Sequence, residues 1–530
     1  MLNISKKTKK PFALIILDGW GIAPAWGGNA ITKAKTKTFD TIWKNYPSTS
    51  LLASGQAVGL PLNSPGNSEA GHLNLGAGKV VHQDLTLIDQ KIDDQSFFSN
   101  PVLIGGIKHA ESHHSNIHII GLLSKTGTHS HIKHLYALLG LMKKNNFNRV
   151  YIDLFSDGRD SDPFSGIEMI SEVENEIKKI GVGKINSISG RFFAMDRDNR
   201  WGRVSRAYNL LVRGEGNVYE SPKSAFSSAY TLGQTDEFIE PRLVGNKISN
   251  TETISNNDTV ILFNFRNDRT KELAEAFLAD KLPEFPDRQK LNNLYFASFA
   301  VYDDNPTSKQ VFSPELIHEP IAKVWADQGL RQYHTAETEK FPHVTYFING
   351  GVEKPFWGES RLMIPSPRNV KTYDYKPEMS AKEVTESLLL AINKNLHDAI
   401  ILNYANADMV AHSGNLEATV IAVECVDACL NKVLSRITSL GGTAFICGDH
   451  GNAEQMVNPR TGQPDTEHTT NPVPFIIVSE DEKIKKYKLR SDGILSSVAP
   501  TILELMSIPK PQAMINQSLI IKEINTNESS

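Results

Sequence analysis

The chain has 530 residues, of which 40% are hydrophobic and 22% are charged, so it can bury large cores and favours two domains over one. Its 56 basic and 60 acidic side chains leave a net charge of −4, which excludes the strong positive field of a nucleic-acid or membrane-surface protein. Three cysteines are too few for a disulfide framework, and the N-terminal apolar run is too short for a signal segment or a membrane span. We therefore expect a soluble, cytoplasmic protein.

The first 80 residues alternate between short apolar runs and helical patterns, which favours an α/β layered fold. The predicted elements are a buried strand at residues 12–17, a helix at 29–46 and a second strand at 48–53. The first strand stops at Asp18 and Gly19, where the glycine lets the chain turn and leaves the carboxylate at the C-terminal edge of the strand. In open α/β sheets this edge is where ligands bind.

Ser68 lies in the segment Gly66-Asn67-Ser68-Glu69-Ala70-Gly71-His72, which follows a passage rich in glycine and proline. A serine followed by an acidic residue and a helical pattern indicates the N-cap and first turn of a helix. There, unpaired backbone N–H groups and the positive end of the helix dipole would face an anion such as a phosphoryl group. For Ser68 alone, an ordinary capped helix is the simpler interpretation.

Between residues 81 and 311, four predicted apolar strands each end in charged side chains. The strands span residues 116–122, 149–155, 184–189 and 259–265. The side chains that follow them are His129 after the first, Arg159 and Asp160 after the second, Arg191 and Arg197 after the third, and Arg266 and Arg269 after the fourth. Guanidinium groups bind carboxylate and phosphate in bidentate fashion, so converging arginines would form a cradle for a polyanion.

The C-terminal part returns to side chains that bind metals. Its predicted elements are strands at residues 344–348, 399–403, 443–447 and 474–478, and a long helix at 416–440. Asp408 and His412 stand four residues apart, so on a helix they share one face and can bind one cation. Asp449 and His450 follow the third of these strands, and His468 precedes the fourth.

Carboxylates and imidazoles in this number at strand ends suit two adjacent divalent cations. A serine hydroxyl beside such a cation loses its proton more easily and becomes a nucleophile. A single Asp–His pair is better explained as a capped turn, so the prediction depends on the whole set. By contrast, His109, His113, His114 and His118 lie on a polar run without a companion carboxylate pattern, and we expect them on the surface rather than at a zinc site.

Six unusual segments occur in order along the chain. They are GNSEAGH at residues 66–72, SDGRD at 156–160, FFAMDRD at 192–198, FNFRNDR at 263–269, AETEKFPH at 336–343 and DHGNAE at 449–454. Together they resemble the cofactor-independent, or 2,3-bisphosphoglycerate-independent, phosphoglycerate mutases. The resemblance implies a two-domain α/β protein of the alkaline phosphatase superfamily. Residues 1–80 and 312–530 would form the catalytic metal domain, and residues 81–311 an inserted α/β domain that binds the substrate.

The resemblance also implies roles for individual residues. One metal would be bound by Asp18, Ser68, Asp449 and His450, and the other by Asp408, His412 and His468. Ser68 would be phosphorylated during turnover. The substrate-binding set would be His129, Arg159, Asp160, Arg191, Arg197, Arg266, Arg269 and Lys340.

The implied reaction is the interconversion of 3-phosphoglycerate and 2-phosphoglycerate in glycolysis and gluconeogenesis, without 2,3-bisphosphoglycerate. Lys340 would offset developing charge, and Asp160, or alternatively His129, would handle the hydroxyl proton. Manganese is the expected metal, although such ligands also accept cobalt, zinc or magnesium. We expect a monomer with a small-molecule substrate. The alternatives are a metal-dependent phosphatase of the same superfamily and a catalytically silent metal-binding protein.

Overall fold

The computed structural model of the chain describes residues 10–245, 252–302, 307–313, 315 and 317–521. The chain divides into two compact units, the first formed by Met1–Gln83 with Glu315–Ser530 and the second by Asp84–Pro314. Each boundary lies three residues beyond the one expected from the sequence. No helix within the described ranges is both long and apolar enough to cross a bilayer.

Strands and helices alternate through both units. The strands are β1 Phe12–Leu17, β2 Ser48–Leu51, β3 Ile117–Leu123, β4 Val150–Ser156, β5 Lys184–Gly190, β6 Asn217–Tyr219, β7 Arg242–Val244, β8 Thr259–Leu262, β9 Tyr295–Ser298, β10 Lys309–Gln310, β11 Gln332–Glu337, β12 Glu359–Ile364, β13 Ala399–Tyr404, β14 Thr443–Gly448 and β15 Val473–Ser479. The helices are α1 Ala30–Lys33, α2 Lys37–Asn45, α3 Ser68–Ala77, α4 Asp84–Asp93, α5 Pro101–Ser112, α6 Ile132–Lys144, α7 Gly166–Ile180, α8 Arg191–Ala194, α9 Trp201–Arg213, α10 Pro222–Thr231, α11 Lys271–Leu278, α12 Ile321–Asp327, α13 Ala381–Asn393, α14 Asn406–Ala411, α15 Leu416–Ser439, α16 Glu482–Lys485 and α17 Val498–Leu505.

The first unit is built on a seven-stranded sheet in the order β12-β11-β13-β1-β14-β15-β2. The strands from β12 to β14 run parallel, whereas β15 is antiparallel to both of its neighbours. Alternate residues of β1 enter two different cores: Ile15 packs with α13 and α15, and Leu14 packs with α3, α12 and α17. A strand buried on both faces reads as a continuous apolar run, which is why residues 12–17 were predictable.

The second unit is built on an eight-stranded sheet in the order β10-β9-β8-β3-β4-β5-β7-β6. Its central strands run parallel, and β7 pairs antiparallel with β5. Apolar side chains of β3 also enter two cores, with Ile119 in the one formed with α5, α6 and α7, and Ile120 in the one formed with α9 and α11. The four predicted strands correspond to β3, β4, β5 and β8, although β8 ends three residues early and β6 and β7 lie between the last two.

The strand predicted at residues 344–348 is wrong. The segment His343–Phe347 is a turn of π-helix, in which the Ile348 N–H donates to the His343 carbonyl over 3.1 Å. The strand lies earlier, at β11, where each residue is buried although the sequence QYHTAE is polar. Its polar side chains are hydrogen bonded, as when Gln332 Nε2 donates to the Ala322 carbonyl over 2.7 Å. Hydrophobic pattern alone could not show this.

Two further expectations need correction. The helix predicted at 29–46 is broken into α1 and α2, because the Asp427 carboxylate on α15 accepts hydrogen bonds from the Thr38 and Phe39 N–H groups and begins a new helix there. His118, expected on the surface, is fully buried on β3, and its Nδ1 lies 2.9 Å from Asp153 Oδ2. The companion carboxylate is 35 residues away, so its pairing with His118 depends on the sheet register.

Candidate active site

Three parallel neighbours in the first sheet deliver carboxylates to one edge. In the register of β1 with its partners, Leu17 lies opposite both Tyr404 of β13 and Gly448 of β14. The next residues along the chain are Asp18 after β1 and Asp449 after β14, while β13 leads into the short helix α14 that carries Asp408. The carboxyl ends of parallel strands are the usual ligand site of such a sheet.

Ser68 is the first residue of α3 rather than its N-cap. The cap is Asn67, whose side chain accepts a hydrogen bond of 2.8 Å from the Ala70 N–H. This frees the Ser68 hydroxyl from a capping role, and its Oγ lies 2.9 Å from His450 Nε2 and 3.4 Å from Asp18 Oδ1. The side chain is therefore available for chemistry at the sheet edge.

One group of metal-binding side chains consists of Asp18, Asp449 and His450. Their ligand atoms lie within 4.8 Å of one another, and all three residues are buried. Asp449 Oδ1 accepts hydrogen bonds from the Gly19 and His450 N–H groups, at 3.1 and 3.0 Å. Asp449 Oδ2 makes no hydrogen bond within the described residues, although His72 Nδ1 lies 3.4 Å and His450 Nε2 3.5 Å from it. A buried carboxylate oxygen without a hydrogen bond costs free energy that a bound cation would offset, so this group fits a metal ion.

The second group consists of Asp408, His412 and His468, whose ligand atoms also lie within 4.8 Å of one another. The Nδ1 atoms of the two histidines face backbone carbonyls, those of Thr466 at 2.9 Å and Gly66 at 2.8 Å. Each ring then carries its proton on Nδ1 and offers a lone pair at Nε2, and the two Nε2 atoms are 3.0 Å apart. Asp408 Oδ1 lies 3.3 Å from His412 Nε2 and 3.2 Å from His468 Nε2, so three donor atoms converge and this group also fits a metal ion.

Lys340 contacts residues of both groups. Its Nζ lies 2.7 Å from Asp18 Oδ1, from Asp408 Oδ2 and from Ser68 Oγ. Burial alone lowers the pKa of Lys340, but the charges of Asp18 and Asp408 outweigh it and hold the pKa above its ordinary value. The ammonium is thus a permanent positive charge beside the serine hydroxyl.

The other charges of the site follow from burial. Burial raises the pKa of Asp18 to about 7, and the nearby Asp449 carboxylate adds to this effect. Burial also lowers the pKa of His450 to about 4, so its imidazole is neutral at physiological pH. A neutral imidazole can bind a cation, whereas an imidazolium cannot.

In the second unit, Arg191 is held by two aspartates. Its Nη1 donates to Asp157 Oδ1 and to Asp160 Oδ2, both at 2.6 Å. Asp157 is buried and also accepts hydrogen bonds from the Ser124 hydroxyl and from the N–H groups of Arg159 and Asp160. It therefore fixes both Arg191 and the turn after β4. Sequence reasoning gave Asp157 no role, although it lies within the SDGRD segment.

The structure brings the predicted arginines of this unit together. Burial lowers the pKa of Arg269, and the charges of Arg197, Arg159 and Arg191 lower it further, because these cations lie close to it. The side chains of Arg159 and Arg197 are about half exposed. Carboxylates of Glu237 and Asp268 lie 3.6 and 3.5 Å from Arg159 and Arg197, but both guanidinium groups keep exposed donors that can bind an anionic ligand.

His129 and Arg266 belong to the same region. Asp268 Oδ1 lies 3.6 Å from His129 Nδ1 and 3.9 Å from Arg266 Nε, and His129 Nε2 lies 3.8 Å from Asp160 Oδ2. Burial lowers the pKa of His129, and the Arg191 charge acts in the same direction. The ring is therefore neutral and able to accept a proton.

Known proteins similar to this chain over nearly its full length are phosphoglycerate mutases. The 2,3-bisphosphoglycerate-independent phosphoglycerate mutase 1 of Methanosarcina barkeri (strain Fusaro / DSM 804) is 46% identical over 525 residues, which are 98% of this chain and 100% of that protein. The chain belongs to the 2,3-bisphosphoglycerate-independent phosphoglycerate mutase family. A second member, from Clostridioides difficile (strain 630), is 45% identical over 97% of this chain and 100% of its own length.

Two further comparisons agree with membership in this mutase family. The model of the Metalloenzyme superfamily matches residues 10–510, so the chain is a metalloenzyme that depends on divalent cations. A crystal structure of Leishmania mexicana phosphoglycerate mutase at low cobalt concentration is 29% identical, with a TM-score of 0.64, and the match covers 98% of this chain and 99% of that one. The resemblance read from the six sequence segments is confirmed, as is the α/β fold class.

Several residues around the mutase site were not assigned from the sequence. Asn452 Nδ2 donates to Asp408 Oδ1 over 2.8 Å, and Glu454 accepts a hydrogen bond from the Asn452 N–H, also at 2.8 Å. His72 and Asn403 lie against Asp18 and Ser68. The signal for His72, Asn452 and Glu454 was their place inside the family segments, whereas Asn403 gave none.

Proposed function

We propose that the chain interconverts 3-phosphoglycerate and 2-phosphoglycerate through a phosphorylated Ser68. The observation that carries the proposal is the position of the Ser68 hydroxyl, which lies within 3.4 Å of Asp18 and His450 of the first metal-binding group and 2.7 Å from Lys340 Nζ. The same Nζ contacts Asp408 of the second group at 2.7 Å. In the first step Ser68 Oγ gives up its proton and bonds to phosphorus as the bond to the 3-oxygen breaks, and the 3-oxygen takes up a proton. In the second step the 2-hydroxyl gives up its proton and its oxygen bonds to phosphorus as the bond to Ser68 Oγ breaks, and Ser68 Oγ takes up a proton again.

We propose that two divalent cations, most simply Mn²⁺, bind at the site. One would be held by Asp18, Ser68, Asp449 and His450, and the other by Asp408, His412 and His468. The cations would make the serine hydroxyl more acidic and neutralise charge on phosphoryl oxygens. The residues themselves supply the remaining electrostatics. Lys340 holds an ammonium 2.7 Å from Ser68 Oγ, where negative charge develops on the transferred group. The support for Mn²⁺ is the mixed oxygen and nitrogen donor set, which cobalt or zinc would also accept.

The second unit supplies the anion-binding side chains. We assign Arg159, Arg191, Arg197, Arg266, Arg269 and His129 to binding of the glycerate and its carboxylate. Burial raises the pKa of Asp160, but the hydrogen bond and charge of Arg191 outweigh it and leave the pKa below its ordinary value. Asp160 would therefore act as a base only when Arg191 turns to the substrate carboxylate and releases it. His129, which is neutral, is the alternative for the hydroxyl proton.

The test is a mutase assay on the purified protein with 3-phosphoglycerate and Mn²⁺, in the absence of 2,3-bisphosphoglycerate. We expect 2-phosphoglycerate as the product, loss of activity in excess chelator, and recovery when Mn²⁺ is restored. Ser68→Ala should lose both turnover and the phosphoprotein signal seen with 32P-labelled substrate. Full activity in Ser68→Ala would overturn the phosphoserine route, and release of free phosphate in place of 2-phosphoglycerate would identify a phosphatase.

We also propose that the protein is a cytoplasmic monomer. Its three cysteines, Cys425, Cys429 and Cys447, are free thiols, as expected in a reducing compartment. Sedimentation equilibrium of the Mn²⁺-loaded protein would test the monomer, with a mass of 58.8 kDa expected.

A further inference from the structure

Asn403 is a buried polar residue near the end of β13, a strand that otherwise carries apolar side chains and Tyr404. It lies opposite Ile16 in the register with β1, two residues before Asp18. Its amide nitrogen has two hydrogens and uses both. One points to Asp18 Oδ2 at 2.7 Å, and the other to His72 Nε2 at 3.0 Å.

The bond to Asp18 decides which carboxylate oxygen faces the site. With Oδ2 held by Asn403, the other oxygen lies toward Lys340 Nζ at 2.7 Å, Ser68 Oγ at 3.4 Å and His450 Nε2 at 3.6 Å. A carboxylate rotates about its terminal torsion at little cost, so the fixed donor is what keeps Oδ1 in this direction.

The hydrogen bond from Asn403 to His72 connects Asn403 with Ser68, because His72 also contacts the Ser68 backbone. Because His72 Nε2 accepts a hydrogen bond from Asn403, the ring proton lies on Nδ1, which donates to the Ser68 carbonyl over 2.8 Å. His72 is itself fully buried on α3. One amide group thus connects Asp18 with the first turn of the helix that carries Ser68.

The oxygen of the same amide argues against a role in packing alone. Within the described part of the chain, Asn403 Oδ1 has no hydrogen-bond partner, and the residue is completely buried. An unsatisfied buried acceptor costs free energy that an apolar residue on a central strand would avoid. The two hydrogen bonds that its Nδ2 donates, to Asp18 and His72, offset this cost.

We propose that Asn403 is a positioning residue for phosphoryl transfer, which sets the orientation of Asp18 toward the metal-binding group and, through His72, holds the turn of Ser68. The inference rests on the proposed function for its catalytic consequence. Its consequence for metal binding stands independently, because residues that orient metal ligands typically change metal affinity or activity by about 10- to 100-fold when they are replaced.

The experiment compares Asn403→Ala with Asn186→Ala. Asn186 is a matched control in the second unit: it is buried on β5, its Nδ2 donates to Asp153 Oδ1 and to the Glu252 carbonyl, and its Oδ1 also has no partner among the described residues. Asn403→Val, which suits a buried strand, serves if Asn403→Ala fails to fold. The readouts are the Mn²⁺ dissociation constant from electron paramagnetic resonance of free Mn²⁺, the melting temperature in EDTA, and kcat and KM for 3-phosphoglycerate.

For Asn403→Ala we expect Mn²⁺ binding to weaken about 10- to 100-fold and kcat to fall by a similar factor, with KM within about threefold of the wild-type value. Asn186→Ala should lower the melting temperature in EDTA by a comparable amount and leave the Mn²⁺ affinity unchanged. Mn²⁺ affinity within twofold of wild type in the Asn403 variants, or an equal loss in Asn186→Ala, would overturn the proposal. If the wild type lacked mutase activity while Asn403→Ala still lost Mn²⁺ affinity, the proposed function would fail and the positioning role would stand.

Discussion

Replacement of Lys340 by methionine tests the electrostatic account of the site. The side chain is almost completely buried, and its ammonium lies 2.7 Å from a carboxylate oxygen of Asp18, 2.7 Å from one of Asp408 and 2.7 Å from the Ser68 hydroxyl. Methionine keeps a long apolar stem and removes the charge. Two buried carboxylates then lose their positive partner, and the Asp449 carboxylate already lies close to Asp18.

Removal of one partner from a buried ion pair costs about 3–5 kcal/mol, because the remaining charge stays desolvated. We expect Lys340→Met to lower the free energy of unfolding of the metal-free protein by that amount at pH 8. Divalent cations bring positive charge to the same carboxylates, so saturating Mn²⁺ should reduce the difference to less than half. Turnover should fall by at least 100-fold in either case, since the charge beside Ser68 is lost.

The assay is urea unfolding monitored by tryptophan fluorescence, in EDTA and in excess Mn²⁺. The free energy of unfolding is taken from the transition whose midpoint Mn²⁺ shifts. Lys79→Met is the control, because Lys79 also has a carboxylate partner, Glu315 Oε1 at 2.5 Å, but both side chains are partly exposed. Its cost should stay below about 1 kcal/mol. A loss below about 1 kcal/mol for Lys340→Met in EDTA, or the same loss with and without Mn²⁺, would refute the reasoning.

Two other predictions concern the surroundings of the site. Burial raises the pKa of Glu337 from 4.5 to about 7, although the hydrogen bond from the Ser380 N–H opposes this shift. Between these two pH values the folded protein keeps a proton that the unfolded chain has lost. The wild type therefore loses stability as the pH rises from about 4.5 to about 7. Glu337→Gln should therefore gain about 2–3 kcal/mol relative to wild type between pH 5 and pH 8 in urea unfolding with EDTA, and a difference that does not change with pH would contradict this. A Cβ at Gly71 on α3 would lie 2.7 Å from the Asp449 carbonyl oxygen, so Gly71→Ala should destabilise the protein by about 1–3 kcal/mol and weaken Mn²⁺ binding. Gly140→Ala on α6 meets only a Phe98 ring carbon at 3.6 Å and should gain up to about 1 kcal/mol, so an equal gain in Gly71→Ala would show that α3 can shift freely.

Much of the site could be predicted because its residues follow strands that are apolar on both faces. Residues 12–17 form β1 with the predicted bounds, and Asp18 follows directly. The structure brings Asp18, Asp449 and His450 into one group and Asp408, His412 and His468 into another, as the family resemblance implied. Their roles as metal ligands stay predictions.

The misses have physical causes. β11 was missed because its polar side chains are buried and hydrogen bonded, and the apolar residues after Pro342 formed a π-helix instead of a strand. The Ser68 turn was placed correctly, but Asn67 supplies the cap. Asn403 could not be found, since its bond to Asp18 joins residues 385 positions apart and exists only in the register of β1 with β13.

The central place of β1 has a consequence for how the molecule is made. Phe12 lies opposite Ala399 on one side and Thr443 on the other, so β1 has no neighbouring strand to pair with until β13 at Ala399–Tyr404 has been synthesised. Residues 84–314, in contrast, are contiguous and can fold during translation. The nucleophile and the first carboxylate are therefore present long before His468 completes the metal-binding set, and the active site cannot assemble before His468 has been synthesised.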